Sequence, residues 1–584
     1  MKSIQKFTPK TNEFLTALRN LNQDNYKASP KLERSPSDRG LTQDKVDLSS
    51  STKLSESESF IYKATPQMER SPSDRGIVKG ELSSQNSEKE YVSVVISSGD
   101  PKKRSALLSA NTAGSQEDKG IPKNLKIDRT LSSGDIVARV DKKLIGHLEG
   151  AGFKVTNDEQ QFVLPIMPGD SSTKSRVRKE QPAFTSVMKL DVVNASTRLD
   201  ELKTTGKGIS IAILDTGVAP HPDIENKIVA FKDFVNDKEA PYDDNGHGTH
   251  VAGDAAGTGV SSGGKYKGTA PDASIVGVKV LNNDGGAKVS DIIEGIDWVI
   301  QNRDKYNIRI INMSIGVPSA GFQFDPIDKA VERAVNAGIV VVAAAGNEGP
   351  KMGTIGGAPG NSPLALTVGA IDDKNTIDKS DDEIAPFSSR GPTMDGITKP
   401  DLVAPGTNII SLNIKDSQID KIAKAVKYLK DLPDEKLKEL PKELFEGLGL
   451  NPSIVNKSPR EIRKYIEKNL PNINYVNEYY VGMPGTSMAA PITAGIVANL
   501  LEVNPQLSPG QVKDILTKTA DDMGLKKHAQ GAGSIDPPEA VQLASDTQGE
   551  LPEIFARAQS LMATTKGDIG FLMSGSAGGA SVKA

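Results

Sequence analysis

Apolar positions along the chain fall into distinct regimes. Residues 1–85 carry no periodic apolar pattern; Ser, Lys, Glu and Asp dominate, and the octamer ERSPSDRG occurs twice, at 33–40 and 69–76. With so little to bury, this stretch predicts a disordered polar extension built around a duplicated motif. From residue 91 the pattern changes. YVSVVI (91–96), DIVARV (135–140) and QFVLPI (161–166) alternate as strands do, and 142–151 has helical spacing. Residues 86–168 therefore predict a small α+β module. The polar, basic run PGDSSTKSRVRK (168–179) predicts an exposed linker open to cleavage, with 169–205 leading into the next domain.

Residues 206–545 alternate strand-like apolar runs with helical segments. ISIAIL (209–214), SIVGVKV (274–280), IRIINM (308–313), IVVVAA (339–344) and ALTVG (365–369) are buried-strand candidates, and 289–301 and 326–337 have helical spacing. Continuous apolar strands alternating with helices predict an α/β fold with a doubly wound parallel sheet and helices on both faces. Residues 414–480 break the rhythm. They are rich in Lys and Glu, with helical spacing at 419–429 and 459–468, and predict a helical insertion. Residues 546–584 turn small and polar and predict a flexible tail.

Composition adds exclusions. Length 584 exceeds the roughly 250–300 residues that one core serves, so several units are expected. Lys plus Arg total 71 against 75 Asp plus Glu, a net of −4, so bulk charge points to neither nucleic acid nor an anionic membrane. The chain has no cysteine, which excludes disulfides, thiol nucleophiles and cysteine-based zinc sites. Charged and polar residues interrupt every apolar run in MKSIQKFTPKTNEFLTALRNL, so no signal-peptide core is visible and a cytoplasmic location is expected, with export by a non-Sec route as the alternative. No apolar run approaches the ~20 residues of a membrane span.

Candidate chemistry lies at the ends of the strand-like runs. Asp215 ends ILDTG, which on its own is also an ordinary turn carboxylate. His247 lies in NGHGTHVAG; only five histidines occur, and two of them, His247 and His250, are three apart, a spacing that would also suit a metal pair on a helix. Ser487 lies in MPGTSMAAP, ahead of a helical run, where backbone N–H groups and the helix dipole favour negative charge; a helix N-cap is the ordinary use of such a serine. Together they form a set. A hydroxyl is a weak nucleophile until a base takes its proton and an acid orients the base. The chain order Asp, His, Ser differs from the α/β-hydrolase and chymotrypsin orders, and no GxSxG elbow surrounds Ser487.

The blocks DTG, HGTHVAG, AAAGNEG and GTSMAAP, with FSSRGP and KPDLVAPG, resemble the signature blocks of the subtilisin family over roughly 206–543, less the insertion. In pattern the chain is most similar to intracellular-type bacterial subtilisins. The resemblance implies a serine endopeptidase in which Asp215, His247 and Ser487 form the triad and Asn347 supplies the oxyanion-hole amide. It also implies that Ser314, Ile315 and Gly316 pair with an extended substrate, and that Ala345 and Gly346 wall the pocket for the residue before the cut. Small residues there imply broad preference for large apolar side chains, whereas Glu348 at the rim would favour basic ones. The module at 86–168 resembles family propeptides, which implies a self-processing zymogen whose partners are its protein or peptide substrates and its own propeptide, with self-cleavage between about 165 and 189. No cofactor is required for the chemistry. Structural calcium is an open expectation: Asp223 in HPDI matches a family ligand, but the loop 257–268 lacks the asparagine-containing segment that completes that site. A second departure is Pro491-Ile492 where the family has Pro-His. Two other readings remain: a pseudoprotease scaffold with the same fold, and an esterase using the same triad.

Overall fold

The structure is a computed structural model and describes residues 91–111, 125–159, 161–162, 190–319, 321–323 and 325–547. The polar extension, most of the linker and the tail expected from the sequence lie outside these residues.

The amino-terminal module is an antiparallel sheet in the order β2–β3–β1–β4, formed by β1 (Tyr91–Ser97), β2 (Lys126–Thr130), β3 (Ile136–Asp141) and β4 (Lys154–Asn157). Successive side chains in a strand point to opposite faces. Val94 and Ile96 of β1 and Ile136, Ala138 and Val140 of β3 pack with Leu107, Leu148 and Phe153 in the module's own core. Leu107 and Leu148 belong to helices α1 (Pro101–Ala110) and α2 (Lys142–Gly150). The intervening Val95 and Val137 face the other way, into the core of the main domain. Helix α1 was not expected, because PKKRSALLSA shows no clear apolar stripe. It starts where Asp100 accepts the Lys102 N–H at 2.8 Å and Pro101 takes the first helical position. The strand expected over 161–166 is described only as β5 (Gln161–Phe162), and 163–166 lie outside the described residues.

The main domain follows helix α3 (Leu190–Ser196). Its sheet runs β7 (Ile228–Asp233), β8 (Ser274–Lys279), β6 (Ser210–Asp215), β10 (Ile308–Met313), β12 (Val340–Ala344), β14 (Leu366–Asp372), β16 (Leu402–Pro405), all parallel. The short β15 (Glu383–Ile384) joins β14 antiparallel. The doubly wound α/β expectation holds. Helices α5 (Val289–Asn302) and α6 (Pro326–Asn336) cover one face, with Ile292, Ile293, Ile296, Ile327 and Val331 buried against Leu214, Val278, Ile311 and Val341. Helices α4 (His247–Ala256) and α10 (Thr486–Val503) lie against the other. Each fully buried Ile or Val of this kind contributes about 1.5–3 kcal/mol.

Two short pairings lie outside the main sheet. β9 (Gly286–Ala287) pairs antiparallel with β5 of the module, and β11 (Val317–Pro318) pairs with β13 (Gly357–Ala358). The insertion grows from a hairpin of β17 (Ile409–Leu412) and β19 (Tyr480–Met483), with β18 (Asn474–Tyr475) alongside β19. Between them come α7 (Gln418–Asp431), α8 (Lys442–Gly447) and α9 (Pro459–Asn469). Helical spacing at 419–429 and 459–468 thus predicted α7 and α9 nearly to their ends. Ser458 and Glu461 close a capping box at the start of α9.

Candidate active site

In the main sheet the chain passes from β6 to the edge strand β7, steps back to β8 between them, then crosses β6 to build β10, β12, β14 and β16 on the other side. The order reverses between β6 and β10, and open α/β sheets form their clefts at the carboxyl ends of such strands. Asp215 is the last residue of β6, and Ser314 directly follows β10.

Asp215 is fully buried. Its Oδ1 accepts the Thr216 N–H at 2.7 Å and lies 2.8 Å from His247 Nδ1, while Oδ2 has no partner. Gly217 is required for this turn: φ is +122°, and a Cβ there would stand 2.2 Å from the Tyr242 carbonyl. His247 is the first residue of α4. The orphan N–H groups of this helix start are met by three side chains: His247 N–H donates to Asn245 Oδ1, Gly248 N–H to Thr216 Oγ1 and Thr249 N–H to Asp243 Oδ2, while Asp243 Oδ1 also accepts from the Asn245 and Gly246 N–H groups ahead of the helix. Burial alone pushes His247 toward the neutral ring, but the Asp215 carboxylate, with Asp243 and Asp254 behind it, outweighs that and raises its pKa above the ordinary 6.5.

Ser487 is the second residue of α10 and does not cap it; Gly485 occupies the N-cap position. Its hydroxyl donates to the Ser314 carbonyl at 3.3 Å, and no hydrogen bond joins it to His247, although both line one cavity. Apo serine sites commonly hold this contact loosely. Ser314 is buried, its own hydroxyl donating to the Ser487 carbonyl at 2.8 Å. Asn347 Oδ1 accepts both the Thr486 N–H and hydroxyl at 3.0 Å, which turns its NH2 group to the remaining side; that group donates to nothing among the described residues. Ile315, Ala345 and Ser314 are buried, and Gly316 and Gly346 are half-buried. Ser389 N–H donates to the Gly346 carbonyl at 3.0 Å, and the Ser389 hydroxyl donates to Glu348 Oε2 at 2.9 Å.

The metal pair considered for HGTH does not form. His250 is fully buried, with Nδ1 3.1 Å from Asp254 Oδ2 and Nε2 3.2 Å from the carbonyls of Ile409 and Val481, so its nitrogens are committed away from His247. Calcium at Asp223 does not fit either. Asp223 is buried, not solvated; Oδ2 accepts from the Tyr480 hydroxyl at 2.7 Å and Oδ1 from the Ser261 N–H at 3.0 Å, and among the described residues no group of three or more Asp, Glu or His side chains gathers to hold a cation.

The cavity holds residues that sequence reasoning did not place. Ile419 and Ile422 of α7, and Pro471, Asn472 and Ile473 before β18, line it beside His247, Asn347 and Ser487. All five lie in the insertion. Nothing local in their sequence points to the cleft; they sit more than 150 residues from His247 along the chain. Asp243 was also missed, although an acid four residues before the histidine of HGTH is a readable helix-start signal.

Comparison with known proteins matches residues 206–533 to the subtilase family. Serine protease AprX of Bacillus subtilis (strain 168) is 43% identical over 344 residues, 58% of this chain and 67% of its own length. Subtilisin DY of Bacillus licheniformis is 31% identical over 340 residues, 58% of this chain and 92% of its own. Among solved structures, fervidolysin from Fervidobacterium pennivorans, described as a keratinolytic enzyme related to subtilisin, superposes with a TM-score of 0.51 at 21% identity. That match covers 81% of this chain and 63% of fervidolysin, a likeness of fold alone.

Proposed function

The chain belongs to the subtilase family of serine endopeptidases, and on that premise we propose that Asp215, His247 and Ser487 are its catalytic triad and that it is made as a self-processing zymogen. The observation that carries the reading is the Asp215–His247 contact of 2.8 Å, buried at the sheet's switch point in the same cavity as Ser487.

In this reading Ser487 Oγ attacks the scissile carbonyl carbon while His247 Nε2 takes its proton. Asp215 holds the ring by Nδ1–H. The oxyanion forms toward the Asn347 NH2 group and the Ser487 backbone N–H; removing one such donor in subtilisin costs about 10²–10³ in turnover. The C–N bond then breaks, His247 gives its proton to the leaving nitrogen, and an acyl ester on Ser487 remains. Water, deprotonated by His247, attacks the ester carbonyl carbon; the Oγ–C bond breaks and His247 returns the proton to Ser487 Oγ, releasing the acid. Ser314, Ile315 and Gly316 pair with the acyl half of the substrate as an added strand, and Ala345 and Gly346 wall the pocket for its last residue, open to large apolar side chains. The module acts as propeptide. Its β5 pairs with β9 of the main domain, which supports this reading, and cleavage falls between about 165 and 189.

Labelling with a fluorophosphonate and mapping the modified peptide tests the triad. Modification at Ser487, lost in Asp215→Asn and His247→Ala, is the expected result; a folded, module-free protein that takes up no label would overturn it.

A further inference from the structure

The insertion reaches the catalytic histidine at close range. The Gln418 and Ile419 N–H groups at the start of α7 donate to the carbonyls of Asp244 and Asn245 at 3.1 and 2.9 Å, the two residues leading into Gly246-His247. Gly246 lies directly under them: a Cβ there would meet Ser417 Oγ at 2.7 Å and Ile419 Cβ at 3.4 Å. Asp420 fixes the helix start from below, fully buried and accepting from the Asn413 amide at 2.8 Å and the Asp416 N–H at 2.9 Å. The far end of the insertion returns to the same place through Pro471 and Ile473. Ile419, Ile422 and Ile473 are each 6–8% exposed, so nearly all of their surface is packed and a small apolar remainder faces the cavity.

Which half of a substrate this wall meets follows from what the cavity omits. Ser314, Ile315 and Gly316, which take the acyl half, do not line it; His247, Met483, Pro484, Ser487 and Met488 do, together with Asn347 and Asp284. His247 must protonate the leaving nitrogen, so the chain attached to that nitrogen runs past this ring. We propose that the insertion is the specificity wall for the leaving half of the substrate, with Ile419, Ile422 and Ile473 selecting an apolar side chain on the first residue after the cut. Burying a Leu there against three isoleucines removes apolar area from water that Gly does not offer, and an Asp would lose hydration beside the Asp284 carboxylate with no Lys or Arg among the cavity-lining residues to pair with it.

The inference rests on the serine-endopeptidase reading, and its test separates the two. Internally quenched peptides share one acyl half and carry Leu, Gly or Asp after the cut. The module-free wild type should favour Leu over Gly in kcat/KM by at least about tenfold, the low end of what an apolar pocket supplies, with Asp poorest. In Ile422→Ala and Ile473→Ala that Leu-to-Gly ratio should shrink at least about threefold, while a series varying only the residue before the cut keeps its wild-type ranking. Because each ratio is taken within one enzyme, a general loss of active protein cancels, and a melting curve identifies any variant that fails to fold. Equal cleavage of the Leu and Gly peptides by wild type, or an unchanged ratio in both variants, overturns the inference. No cleavage of any peptide by folded wild type would instead overturn the protease reading beneath it.

Discussion

Two additions flank the same cleft, and they are attached in opposite ways. The amino-terminal module carries a core of its own, built on Ile96, Leu107, Ile136, Leu148 and Phe153. It meets the main domain through Val95, Leu131 and Val137 and through a polar set at α5. There Asp158 accepts the Ser290 N–H at 2.7 Å at the helix start, Arg129 pairs with Asp291 and Glu294 at 3.0 and 3.1 Å, and the Ser132 hydroxyl donates to Asp297 at 2.6 Å. The insertion leaves and re-enters through two paired strands of one hairpin and lays its helix start on the backbone beside His247. A unit with its own core and a charged interface can be shed whole by one cut. A unit tied at both ends and hydrogen-bonded to the histidine loop cannot leave without taking part of the site with it.

The largest expected effect comes from severing the connections. A cut within 163–189 should let the module separate on gel filtration, and activity on unfolded casein should rise at least about tenfold, since a tethered inhibitor acts at millimolar effective concentration. A recognition site for an unrelated protease placed at 451–457 should, once cut, leave the insertion attached and the activity close to that of the uncut enzyme. Next is Gly246→Ala. With φ at +102° and Ser417 in the way, it should cost about 2 kcal/mol in stability and lower turnover, read by denaturant unfolding and casein assay; a neutral outcome would mean that α7 does not press on the histidine loop.

A smaller effect comes from pH. Burial against the docked module raises the pKa of Asp158, Asp291 and Glu294, with Asp291 pushed up to about 6. Carboxyls raised in the docked state bind more protons there than after release, so docking strengthens as pH falls and weakens as pH rises through about 6. In a chain cut at the linker, the module should dissociate a few-fold more readily at pH 8 than at pH 5, measured by dilution and gel filtration. The smallest effect belongs to the insertion's outer face. Lys427 and Asp431 form an exposed i,i+4 pair at 2.6 Å, and Lys427→Ala should change stability by less than about 0.5 kcal/mol in a melting or denaturant series.

The triad candidates were legible because each lies in a short block whose glycines and neighbours report one local geometry, as DTG does for the turn after β6. The strands were legible because parallel, doubly covered strands are continuous apolar runs. What the sequence hid was set by distance along the chain. Ile419 reads as one more apolar position on an amphipathic helix, and only the fold lays it over Gly246. Asp223 reads as a turn acid, and only the fold brings the Tyr480 hydroxyl to it. Helix α1 was hidden for a local reason, since its start is marked by Asp100 and Pro101 and its length by no apolar stripe.

The most direct test is intact mass and amino-terminal sequence of purified wild type beside Ser487→Ala, with casein cleavage by both. The account predicts a wild type shortened to begin between about 166 and 190 and active, beside a folded Ser487→Ala chain that stays full length and inert. A Ser487→Ala protein that processes itself and cleaves casein at the wild-type rate would contradict it.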